Sequence, residues 1–85
     1  MTVEDFEDFC WKTDGIRVVV RALSGESVTG FKRTNAVNKS KKISDYWDDI
    51  ASVIGNREFV ILNGRGELPH GNTMVGTVRE TYDHD

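Results

Sequence analysis

Few side chains in this sequence could take part in bond making. A nucleophile needs a base beside it and a group that orients the base. The usual base, histidine, occurs only as His70, inside a glycine-rich stretch, and His84, next to the last residue. Cys10 is the only thiol. It follows Val3, Phe6 and Phe9 at helical spacing, which assigns it to an apolar stripe where a thiol stays protonated and inert. Asp45, Asp48 and Asp49 stand at i, i+3 and i+4, so one helix face could hold a hard cation such as magnesium. Three acids in a first helical turn also complement the helix dipole, and no further carboxylates point to the same place. The stretch "NGRG" at 63–66 has glycines that would let backbone amides approach a phosphate. It lacks the Gly-Lys-Ser/Thr ending of a nucleotide loop and does not lead directly into a helix, so turn formation is the simpler use. The expectation is a chain with no catalytic residues, no metal site and no cofactor. Catalysis through His70 is the one enzymatic alternative.

Binding residues are easier to find. The stretch "FKRTNAVNKSKK", residues 31–42, holds five of the eleven basic residues and none of the fourteen acids, in a chain of net charge -3. Lys32, Arg33, Lys39, Lys41 and Lys42 could belong to a solvated connector, or could meet an acidic protein surface or nucleic acid. If all five met phosphates, log affinity would fall with log salt at a slope of roughly -4.5. Base stacking, however, calls for exposed aromatics, and only Phe31 adjoins the run. Acids are segregated as well: Glu4, Asp5, Glu7, Asp8 and Asp14 crowd the first fourteen residues against Lys12 alone. A negative helix and a positive loop can dock on oppositely charged patches, including those of a second copy head to tail. Trp11 falls at the edge of the first apolar stripe, where an indole either closes the core or anchors a partner. Arg65 and His70 ride on the glycine-rich loop 63–72, and such loops carry contacts.

These residues depend on the elements that position them. Thr2 with Asp5 three residues later resembles a helix N-cap, and the spacing of Val3, Phe6, Phe9 and Cys10 predicts a helix over 3–12, ended by Asp14-Gly15. "GIRVVVRALSGESVTGFK" changes the period to two. Ile16, Val18, Val20 and Ala22 share one strand face, Ser24-Gly25 provides a turn, and Ser27–Lys32 returns antiparallel. "ISDYWDDIASVIGN" puts Ile43, Trp47, Ile50, Ala51 and Ile54 on one helical face, capped by Ser44 or Asp45 and stopped by Gly55. "REFVILN" reads as a buried strand and "TMVGTVRET" as its partner, joined by "GRGELPHGN". The tail 82–85, "YDHD", is polar and expected to fray. The predicted order αββαββ gives an α+β fold: a four-stranded, mainly antiparallel sheet with helices on one face.

The run "RVVVRALSGESVTG" behind a short helix is similar to the opening strands of Sm-like RNA-binding proteins, and "FVILNG" resembles a later strand of that family. The resemblance covers about a third of the chain and implies, as an alternative fold, a small β-barrel with an N-terminal helix. The helix predicted over 44–54 departs from the family's all-β middle, and no binding residues carry over.

Eighty-five residues, 38% hydrophobic and 29% charged, fit one soluble domain over 1–85, since two domains could not each bury enough apolar surface. A core this small makes homodimerisation a realistic source of stability. A single cysteine allows no internal disulfide, the acidic start "MTVEDFEDFC" is unlike a secretory signal, and no run of 18 apolar residues occurs. The reading is a cytoplasmic protein with no membrane span. The sequence therefore points to a small non-enzymatic protein-binding module, an adaptor or inhibitor. An RNA- or DNA-binding module using residues 32–42 is the alternative.

Overall fold

The computed structural model describes residues 1–23, 25–55 and 57–82. Helix α1 spans Val3–Phe9 and opens with the expected cap: the Asp5 N–H donates to Thr2 Oγ1 at 3.1 Å, and the Thr2 N–H donates to Asp5 Oδ2 at 3.4 Å. The chain then widens into a π-helical turn over Cys10–Asp14, which Gly15 ends in the left-handed region at φ 70°. The wider turn carries Cys10 and Asp14 inward, and both are fully buried.

Strand β1, Arg17–Val20, pairs antiparallel with strand β2, Phe59–Leu62. Val18 lies opposite Ile61, Val19 opposite Val60, and Val20 opposite Phe59. Alternation decides the faces: Val18, Val20 and Ile61 are buried, whereas Arg17, Val19 and Arg21 turn outward. One end of the ladder is extended by Arg21 N–H donating to Glu58 O at 2.8 Å. At the other end the Tyr82 hydroxyl sits between the strands, accepting from Arg17 N–H at 2.9 Å and donating to Leu62 O. On the outer edge of β1, Glu7 Oε2 accepts the Val20 N–H at 2.8 Å, so a helix side chain blunts that edge.

Helix α2, Ile43–Ile54, buries Ile43, Tyr46, Ile50 and Ile54. Helix α3, Val75–Arg79, buries Val75 and Val78, and Tyr82 follows one turn later into the same core. Among the described residues, no helix is long and apolar enough to cross a membrane.

Among the described residues the four-stranded sheet is not formed, and neither is the small barrel: the sheet has two strands, β1 and β2, and the element order is αβαβα. The expected local hairpin fails because segment 26–28 pairs elsewhere. Val3 N–H donates to Glu26 O and Val28 N–H to Met1 O, both at 2.8 Å, so the first residues of the chain take the place expected for β1. Of the expected Ser24-Gly25 turn, Ser24 lies outside the described residues. "TMVGTVRET" is helical over Val75–Arg79, not a strand, because Val75, Val78 and Tyr82 at three- and four-residue spacing all reach the core. Tyr82, grouped with the polar tail by sequence, is buried, while residues 83–85 lie outside the described residues. The core stripe of α2 is also turned from the expected one: Tyr46 is inside, and Trp47 and Ala51 are on the exposed side.

Candidate functional site

The basic stretch is built around one buried carboxylate. Asp14 accepts four hydrogen bonds: Arg33 Nη1 at 2.5 Å and Nη2 at 2.8 Å, Val37 N–H at 2.9 Å, and the Tyr46 hydroxyl at 2.7 Å. Arg79 holds the same region from α3, donating through Nε to Asp14 O at 2.5 Å and through Nη2 to Val37 O at 2.6 Å. The guanidinium of Arg33 also lies 4.4 Å from the centre of the Phe31 ring, which packs against Phe6, Phe9 and Tyr46. Residues 31–37 are thus a packed strap that uses a charge to close the core.

Burial raises the thiol and the phenol of this cluster, and hydrogen bonding raises its guanidinium. Desolvation pushes the Cys10 thiol from 9.0 up to about 12, and the neighbouring Tyr46 hydroxyl acts the other way. The Tyr46 phenol is raised by burial first, then by Cys10 and Asp14. Hydrogen bonding to Asp14 raises Arg33 further above its already high value. Each group keeps the protonation state it has at neutral pH, and a protonated, buried thiol is a poor nucleophile.

The remaining sequence-selected residues are spread out. Lys41 pairs with Asp49, which takes that aspartate out of the Asp45, Asp48, Asp49 set. Lys32, Lys39 and Lys42 are exposed and make no ion pair among the described residues. Arg65 is exposed on a turn closed by its own neighbours: Asn63 Oδ1 accepts from the Arg65 and Glu67 N–H groups at 2.9 and 3.0 Å. Those amides therefore face an asparagine and form no anion cradle. His70 is exposed, and its Nδ1 accepts the Asn72 N–H at 3.1 Å within a local turn. Trp11 is half-buried, edge-on to Tyr82 with centroids 5.1 Å apart, and carries the Arg17 guanidinium 4.8 Å from its ring centre.

A different surface gathers exposed apolar groups. Among the described residues no element lies over the outward face of the two-stranded sheet; Val19 is 43% exposed at its centre and is paired with half-buried Val60. Around the β2 side, Trp47 is 37% exposed and packs on Phe59 with ring centroids 4.2 Å apart. Val19, Val60, Phe59 and Trp47 line a groove of about 700 Å³ together with Arg21, Arg57 and Glu58. On the other side Val19 continues into a second hollow with Glu7, Trp11, Arg17 and Val18. An open strip thus runs from Trp11 across the sheet to Trp47.

Sequence reasoning selected Trp11 but missed Val19, Trp47, Phe59 and Val60. The outward position of Val19 was readable from the alternation of β1. Helical spacing puts Trp47 on a stripe with Ile43, Ile50, Ala51 and Ile54, but Tyr46 beside it fits Ile43, Ile50 and Ile54 as well. The tyrosine hydroxyl decides the choice, since inside it reaches Asp14, a partner that the indole N–H could not replace with the same geometry. Comparison with protein families, curated proteins and solved structures finds no match to this chain.

Proposed function

We propose that this chain is a small non-enzymatic protein-binding module, of adaptor or inhibitor type, that docks through the open face of the β1–β2 sheet. The observation that carries the reading is the groove where Val19 and Val60 of the sheet's outward face meet Phe59 and Trp47 around the β2 side, bordered by arginines and without a covering element among the described residues. Aromatic and arginine side chains in one concave patch are the composition of interface hot spots. A cytoplasmic location goes with this reading, supported by the single cysteine, Cys10, held buried as a thiol.

The nucleic-acid alternative keeps less of its original basis. Arg33 and Lys41 are engaged within the molecule, which leaves Lys32, Lys39 and Lys42 of the five connector cations. The discriminating experiment immobilises the protein and exposes it to a nuclease-treated lysate of its source. A stoichiometric protein retained by the parent and by the Lys32→Ser/Lys39→Ser/Lys42→Ser variant, but lost with Val19→Asp, is the expected result. Loss of all retention on nuclease treatment overturns the reading.

A further inference from the structure

We infer that the occupant of this face is a short acidic segment in which carboxylates alternate with large apolar side chains. The inference rests on the protein-binding reading above and adds the chemistry of the partner. Charge is what selects it. The chain is net negative, yet the strip from Trp11 to Trp47 is lined by Arg17, Arg21 and Arg57 against Glu7 and Glu58. Both glutamates are already engaged. Glu7 Oε2 accepts the Val20 N–H, and Glu58 meets Arg21 at 3.3 Å.

Of the cations, Arg57 is held by Glu26 and by Ile54 O, which leaves Arg17 and Arg21 to meet a ligand. Arg17 is exposed, rests on the Trp11 ring and has no carboxylate partner among the described residues. The Arg21–Glu58 pair is solvent-exposed on both sides, and such pairs hold their partners weakly enough for Arg21 to turn to an incoming carboxylate. Arg17 and Arg21 flank Val19 at i-2 and i+2 on the same strand face, so the strand presents cation, apolar, cation along one line. An extended segment with acid, apolar, acid side chains on one face matches that line. A large apolar side chain further along would enter the groove between Val60 and Trp47. A second copy meeting this face through its own identical face would bring two positively biased strips together, which disfavours a symmetric dimer here.

The test is a selection of displayed short random peptides on the immobilised full chain at low salt. Binding of the enriched peptides, made synthetically, is then followed by tryptophan fluorescence. The expected result is enrichment of acids alternating with apolar residues. Binding should weaken about tenfold or more in Val19→Asp and in Arg17→Glu, the scale of losing one interface anchor. It should be unchanged in Lys32→Ser/Lys39→Ser/Lys42→Ser. Circular dichroism identical to the parent shows that the surface variants fold. Enriched peptides that lose binding in Val19→Asp but carry no acids overturn the acidic chemistry and leave the docking face standing. No enrichment, or enriched peptides indifferent to Val19→Asp, overturns both. A concentration-dependent rise in mass by light scattering that Val19→Asp abolishes replaces the acidic segment with a second copy.

Discussion

Replacing Asp14 with alanine removes the carboxylate that joins the end of the first helix to the strap 31–37 and to α2. Two of its donors, the Val37 N–H and the Tyr46 hydroxyl, are held by buried residues and would be left without an acceptor. Each such group costs about 1–3 kcal/mol when unpaired. Arg33 adds less, because its side chain is 31% exposed and can turn toward water. The combined loss is about 3–5 kcal/mol, the range for breaking a buried ion pair by removing one partner. A domain of this length has roughly 4–13 kcal/mol in total, so Asp14→Ala consumes a large share. Urea denaturation followed by circular dichroism measures the loss directly, and Asp14→Asn, which keeps the volume and one acceptor oxygen, should fall between parent and alanine. A double-mutant cycle with Arg33→Met should give a coupling above about 1 kcal/mol. An Asp14→Ala midpoint within about 1 kcal/mol of the parent would refute the assignment of Asp14 as the junction of the core.

Other perturbations follow from the same contacts. A Cβ at Gly64 would lie 1.7 Å from Thr81 O, so Gly64→Ala must displace backbone and should lower stability by about 1–3 kcal/mol in the same urea assay. The Cys10 thiol ionises at 9.0 when unfolded but near 12 when folded, so the unfolded chain loses its proton first as pH rises. Stability should therefore be complete below pH 9 and fall between there and about 12, by about 2 kcal/mol near pH 10.5 from this group alone, less in Cys10→Ala. Tyr46 and Tyr82, both raised mainly by burial, steepen the fall in the same direction, and a flat profile in equilibrium unfolding would count against all three. The part of any heparin retention that is lost in Lys32→Ser/Lys39→Ser/Lys42→Ser should account for a log–log salt slope no steeper than about -2.7, since three of the five connector cations remain available. A slope near -4.5 would mean that Arg33 and Lys41 leave their carboxylates.

The legible parts of the fold were those with local causes. Thr2 and Asp5 cap α1, Gly15 stops the turn that follows, and α2 and β2 occupy the expected stretches, although α2 starts after Lys42 without the side-chain cap expected of Ser44 or Asp45. The errors came from pairing, which is not local. Val18 and Val20 alternate equally well whichever strand lies beside them, and the choice of β2 over residues 27–32 depends on Met1–Val3 taking segment 26–28. "TMVGTVRET" suits a strand by its β-branched residues, but the core accepts Val75, Val78 and Tyr82 together only from a helix. The charges show the same limit. The strap was visible as a cluster of cations, whereas the engagement of Arg33 required knowing that Asp14 turns inward nineteen residues earlier. The docking strip was hidden because its members come from β1, β2 and α2, and no contiguous stretch spells it out.

The central claim is that this protein acts through the open face of its sheet. Amide chemical-shift mapping of the labelled chain with its captured protein partner tests that most directly. The largest changes should fall on Arg17, Val19, Arg21, Trp47, Phe59 and Val60, with residues 31–42 little affected. Changes centred on Lys32, Lys39 and Lys42, with the sheet face unmoved, would contradict it.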